Sequence, residues 1–306
     1  MIILQTDNGQ VVVPDPGTTP SGPGAPTPQQ FGFVWTGTDG VEWDLVAGPA
    51  YILSGARGFG LPTPQHWMKE TLLNGATHTG LRFPARDVYM PVEIDTDDML
   101  AQDRKFFAGL DPFTEGRLRV TTPDARWREL PCRYVEGAEG EYEGDPLLFK
   151  RATYAIRMVA ADPFWRGAPV SVSYGYAGGS SFFDGPPFRL APSNVLGQGT
   201  VVNDGDVSAY ATWLLEGPFM GFSVGIGTSL VEMTVTKAAG EWVEIDGNPT
   251  RLTIRDETGI DLREQASEVK FASIPPGETT IDTTLNGAST GSRVTVSFVP
   301  RYYRAW

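Results

Sequence analysis

The sequence predicts a mainly β protein in two units: an α+β N-terminal unit with one helix, followed by an antiparallel β-sandwich. Three observations carry this. The stretch 148–165, LLFKRATYAIRMVAADPFW from Leu147 on, alternates for about ten residues and then stops at Asp162-Pro163. One amphipathic helix stands out, around 99–110. Beyond Pro169 come eight short apolar runs separated by glycine-containing turns, with no helical pattern between them.

The long stretch organises the chain. Phe149, Arg151, Thr153, Ala155, Arg157 and Val159 share one face of a strand, and Lys150, Ala152, Tyr154, Ile156 and Met158 the other. Proline removes a ladder donor and disfavours helix at the residue before it, so the strand ends there. Phe164-Trp165 and the turn-forming Arg166-Gly167-Ala168-Pro169 then lead to a new series of strands. The economical reading is a first unit over 1–168 and a second over 169–306, with a protease-accessible joint between Trp165 and Phe182.

In chain order, apolar runs at 2–4 and 11–13 flank the hairpin turn Asp7-Asn8-Gly9. Residues 14–30, PDPGTTPSGPGAPTPQQ, cannot pack a core and read as an exposed arm. A hairpin follows at 31–35 and 41–46 around Thr38-Asp39-Gly40, and 47–80 reads as irregular. Strands resume at 81–83 and 88–94. Thr96-Asp97-Asp98 offers an N-cap with acidic residues at the positive helix end. Met99, Leu100, Asp103, Phe106, Phe107 and Leu110 follow at helical spacing, and Gly109 with Asp111-Pro112 stops the helix. Strands at 118–121 and 127–134 and an acidic loop (Glu136, Glu139, Glu141, Glu143, Asp145) lead to the long strand. The later strands are expected at 195–202, 211–216, 222–226, 230–235, 242–245, 251–254, 279–283 and 293–299.

The composition narrows the function. The net charge is −13, with 24 Lys+Arg against 37 Asp+Glu, and it divides evenly: −7 over 1–168 and −6 over 169–306. Such a chain is a poor ligand for DNA or an anionic membrane, because that binding rests on Lys and Arg releasing counterions. With one cysteine, Cys132, no intrachain disulfide and no cysteine metal cluster is expected. The first ten residues show no signal-peptide pattern, and no apolar run approaches transmembrane length, so ordinary secretion is not expected.

No catalytic or cofactor site is expected, and no metal site. Gly287-Ala288-Ser289-Thr290-Gly291 spells the nucleophile-elbow pattern, but its flanks are strands and both histidines lie far upstream. His66 and His78, twelve residues apart without a further ligand motif, read as loop residues. The glycines of 55–60 are in the wrong order for a dinucleotide loop. Asp204-Gly205-Asp206 and 95–98 are explained by a turn and a helix cap. Carboxylate pairs such as Glu241/Glu244 and Glu141/Glu143 have little diagnostic value in so acidic a chain. Tyr174, Tyr176, Phe182, Phe183 and Phe188 suit packing at a domain junction better than a sugar platform.

What the residues do carry is a resemblance. Leu81-Arg82-Phe83-Pro84, the helix end Phe106-Phe107-Ala108-Gly109-Leu110-Asp111-Pro112, Leu118-Arg119-Val120 and Ala160-Ala161-Asp162-Pro163-Phe164-Trp165 fall in order in the first unit. Val202-Asn203-Asp204-Gly205-Asp206, Leu215-Glu216-Gly217-Pro218, Glu244-Ile245-Asp246 and Ile274-Pro275-Pro276-Gly277 follow in the second. In this order they resemble the distal tail protein (Dit) family of long-tailed phages, also called minor tail proteins; the segment 14–30 has no counterpart. The resemblance implies a ring-forming belt domain, then a galectin-like sandwich. It implies a homohexameric ring joining the tail tube to the tip or baseplate, with no chemistry and no cofactor. The implied partners are further copies of the chain, the tail tube protein, tail tip or tape-measure proteins and receptor-binding proteins. DNA only passes through the lumen, and the location is the virion, after synthesis in the host cytoplasm. Six copies at −13 would total about −78, a wall along which DNA slides without sticking. The rivals are a carbohydrate-binding or carbohydrate-cleaving sandwich protein and another tail tube or baseplate-hub subunit.

Overall fold

The computed structural model describes residues 31–71, 74–140, 145–176 and 196–306. The hairpin expected at 2–13, the arm 14–30, Glu141 and Glu143, and Phe182, Phe183 and Phe188 lie outside the described residues. The fold is mainly β with antiparallel sheets, as the patterning predicts, and it contains two hydrophobic cores.

The first core lies inside one strongly curved sheet. Its path runs Glu42–Asp44, Gly32–Thr36, Gly116–Thr121, Trp127–Glu136, Arg151–Ala160, Arg86–Asp95, Ala50–Ile52. The two edges approach each other: the Ile52 N–H donates to the Leu45 carbonyl at 2.9 Å, so the sheet is nearly a closed barrel. Such closure shields edge hydrogen-bonding groups that would otherwise invite another chain. Arg151–Ala160 alternates as expected, with Ala152, Tyr154, Ile156, Met158 and Ala160 all buried. Its start differs from the sequence reading. Pro146–Phe149 forms a short helical turn, and Lys150 adopts φ 55°, so the strand begins at Arg151 instead of Leu148.

The helix spans Met99–Ala108 and buries Met99 and Phe106. Phe106 meets Trp43 edge-on at 5.2 Å, and Phe107 meets Tyr154 at 4.6 Å. The N-cap residue is Asp98, but its side chain makes no capping hydrogen bond, contrary to the expected cap. Aromatic packing therefore holds this helix in place more than its ends do. Close approach fixes one glycine: at Gly116 a Cβ would stand 2.3 Å from the Trp35 ring, which lies across that position.

The region 47–80 is not irregular. It contains the edge strand Ala50–Ile52 and a separate hairpin, Gln65–Glu70 paired with Ala76–Arg82. That hairpin stands apart from the main sheet, with almost every residue exposed.

The second core lies between two five-stranded sheets. One runs Val170–Gly175, Arg293–Phe298, Thr212–Glu216, Trp242–Asp246, Thr253–Asp256. The other runs Gly197–Asn203, Gly277–Asn286, Gly221–Ile226, Ser229–Met233, Glu268–Val269. Alternate residues such as Trp213, Leu215, Val243, Ile245, Val294 and Val296 face Phe222, Val224, Val231 and Ile281 across the gap. Val170–Gly175 is already a sandwich strand, which leaves Gly167–Pro169 as the short connection.

Candidate functional site

The joint between the two cores is held by a dense set of bonds. The chain leaves the barrel through Asp162-Pro163-Phe164 and the strand Trp165–Arg166. It returns from the sandwich as Arg301–Tyr302, which pairs with that same strand, Trp165 opposite Tyr302 and Arg166 opposite Arg301. Tyr302 and Ala305 are buried in the first core, so the end of the chain straps the second unit onto the first.

Three arginines hold the strap. Arg86, fully inside the barrel wall, donates to the carbonyls of Pro163 (2.5 Å), Gly58 (2.6 Å), Gly60 (2.7 Å) and Tyr303 (2.7 Å). Burial lowers its pKa to about 10, partly offset by Asp162, so it remains charged at neutral pH. Arg301 pairs with Asp162 at 2.7 Å and donates to the Ser208 carbonyl at 3.1 Å. Its guanidinium lies 4.6 Å from the Phe164 ring centre and 4.8 Å from that of Tyr210. It thus touches the barrel exit and the sandwich together. Arg128 donates to the Arg304 carbonyl at 2.8 Å and lies 3.6 Å over the Tyr302 ring. Burial, with a hydrogen bond to Asp204, pushes the Tyr302 hydroxyl up to about 12.

Beside this joint lies a cleft of about 670 Å³, walled by Asp162, Arg166 and Glu115 of the first unit and by Tyr210, Asp246 and Arg251 of the second. A second surface is the projecting hairpin, where Trp67, Met68 and Leu81 are exposed. Two short strands standing off a body gain little stability by themselves.

Most of the chemically suggestive motifs lie in turns and strands whose bonds are structural. Ser289 sits in a turn closed by its N–H donating to Ser292 Oγ at 2.9 Å. Glu241 accepts the Ala238 N–H at 2.7 Å in its own turn, while Glu244 stands on the outer face of a strand, opposite Leu214 and Arg255. Asp206 accepts the Tyr303 N–H at 2.8 Å, and Asp97 pairs with Lys150. Arg57 of the glycine-rich segment bridges to Tyr89. Tyr174 is buried, its hydroxyl donating to the Thr200 carbonyl at 2.8 Å. No group of three or more His, Cys, Asp or Glu suited to a metal ion occurs among the described residues. The strap itself was missed by sequence reasoning; its one signal is the terminal run Arg301-Tyr302-Tyr303-Arg304-Ala305-Trp306, aromatic and basic together.

No family profile and no curated protein matches this sequence. Solved structures do. The SPP1 Dit protein (gp 19.1), described as a paradigm of the hub adsorption apparatus in phages infecting Gram-positive hosts, superposes with a TM-score of 0.60 at 14% identity, covering 89% of this chain and 99% of that one. This is the distal tail protein fold. A chain of the phage P2 baseplate in its activated conformation with calcium gives a TM-score of 0.55 at 11% identity, over 89% of this chain and 98% of that one. The corresponding strontium structure gives 0.52 at 11%, over 88% and 98%. In each case the likeness extends over nearly nine-tenths of this chain.

Proposed function

We propose that this chain is a structural protein of a long-tailed phage, located in the distal tail. The observation that carries the reading is the shared fold over 89% of this chain and 99% of the SPP1 Dit protein. In this reading the unit 1–168 forms a ring, six copies closing through one repeated heterologous interface, and the sandwich 169–306 points outward. The ring joins the tail tube to the tip or baseplate, contacts tape-measure and receptor-binding proteins, and leaves an acidic channel for DNA. A structural role is supported by the joint, where three arginines and three aromatic side chains tie the two units together. It is also supported by Glu241, whose carboxylate accepts the Ala238 N–H in its own turn.

The test is location. Gold-labelled antibody against the sandwich should mark the tube–tip junction of purified virions and nowhere else along the tail. Labelling confined to a peripheral fibre, or absent from virions, would overturn the reading. A carbohydrate-binding role for the second unit has one observation in its favour, the cleft of about 670 Å³ at the joint. It predicts saturable binding of a neutral oligosaccharide that disappears on Arg251→Ala.

A further inference from the structure

We infer that the projecting hairpin carries a two-histidine chelate for a divalent transition-metal ion of the zinc type, formed by His66 and His78. The chain has two histidines in all, and both lie on this hairpin. His66 Nδ1 and His78 Nε2 are 3.1 Å apart, with the rings tilted by 61°. Zinc–imidazole bonds of about 2.0–2.1 Å place two nitrogens about 3.3 Å apart on a tetrahedral ion, and about 2.9 Å apart on an octahedral one. The observed separation lies between these values. One proton shared between the rings also satisfies this distance, so the pair is held at chelating separation before any ion arrives.

The backbone places the pair. Trp67 is opposite Gly80, but the next partners are Met68 and His78, so Thr79 is an extra residue forming a β-bulge. Thr79 closes the bulge by donating its hydroxyl to the Trp67 carbonyl at 3.0 Å. In an uninterrupted register His78 would stand opposite Lys69, on the face of Trp67. The bulge moves it opposite Met68, onto the face that His66 shares. The opposite face is occupied differently: Trp67 lies over Gly80, where a Cβ would stand 2.7 Å from the ring, with Arg82 at 5.9 Å. Both strands are exposed here, so an ion reaches the imidazoles from solvent. No third His, Cys, Asp or Glu completes a cluster among the described residues, so water fills the remaining positions. Imidazole ligands with water suit zinc, nickel or copper better than calcium or magnesium.

Because the chain has two histidines, proton NMR of their carbon-bound imidazole protons reads the site directly. Zinc chloride added to the full chain near neutral pH should shift both imidazoles together, saturating at one ion per chain. His66→Gln should weaken the response of His78 by about a hundredfold, the advantage that linking two ligand groups supplies. The paired exchange Thr77→His with His78→Thr keeps both imidazoles but sets one on the opposite face, and should lose the joint response as well. The inference is overturned if neither imidazole responds in the wild-type chain. It is also overturned if His78 binds equally well in the His66→Gln variant, or if the exchanged variant still binds both together.

Discussion

The barrel and the sandwich each bury a basic side chain, and they satisfy it in different ways. In the barrel, Arg86 donates to carbonyls at Gly58, Gly60, Pro163 and Tyr303, groups up to 217 residues away in sequence. In the sandwich, Lys237 pairs with Asp256 at 3.4 Å and Glu257 at 2.8 Å, both within its own unit. The first core therefore depends on residues 302–305, while the buried lysine of the second is satisfied within its own unit. A barrel whose core includes Tyr302 and Ala305 cannot complete that core until those residues have been made.

The sharpest way to break this comparison is to end the chain after Pro300. Tyr302 and Ala305 would leave the first core, and Arg86 and Arg128 would each lose a carbonyl partner. The barrel should lose roughly 4 kcal/mol or more, although the deleted residues follow the sandwich in sequence. Hydrogen exchange read by mass spectrometry should show loss of protection across Arg151–Ala160 with little change across Arg293–Phe298. Equal loss in both would contradict the difference.

Arg86→Met is the next step down. It leaves the buried Pro163 carbonyl and three partly buried ones without their donor, at a cost of about 2–4 kcal/mol. Denaturant unfolding should show this loss in the barrel alone. If the variant is as stable as the wild type, the four bonds are not what holds the strap.

Much of this was legible beforehand. Strands facing a core on one side alternate visibly, which is why 151–160 and most sandwich strands fall within a few residues of where patterning puts them. The hairpin Gln65–Glu70 with Ala76–Arg82 was invisible for the matching reason: exposed on both faces, it has no apolar period to read. Leu148-Phe149 misled in the other direction, since apolar residues on an exposed helical turn look like the start of a strand. The strap was illegible because its partners, Arg86, Asp162 and Asp206, lie far away in sequence and carry no pattern that points to residue 301.

Titration sharpens the comparison further. In the sandwich, a hydrogen bond from Thr258, with others from backbone N–H groups and the charge of Lys237, holds Asp256 down at about 2. Its contribution is complete above the ordinary aspartate pKa of about 4 and is lost as pH falls from about 4 through about 2. In the barrel, Tyr302 sits at about 12. A raised phenol contributes stability that is complete below about 10 and is lost as pH rises from about 10 to about 12. Asp256→Asn should flatten the acid limb of sandwich unfolding, and Tyr302→Phe the alkaline limb of barrel unfolding. Exchanged effects would contradict the assignment.

The smallest effect concerns the barrel's outer face. Arg119 reaches Glu129 at 3.3 Å and lies 4.8 Å from the Trp127 ring centre, both partly exposed. Arg119→Ala should change stability by no more than about 1 kcal/mol. A larger loss would mean that the outer face shares in the stability assigned to the interior.

The most direct measurement of the structural role is an electron-microscopy reconstruction of the assembled tail, with this chain fitted at the junction between tube and tip. The account predicts six copies around the axis, barrels inward, sandwiches outward, and each subunit keeping the Arg301–Asp162 joint closed. A lone copy on a peripheral spike, with no density for it on the axis, would contradict it.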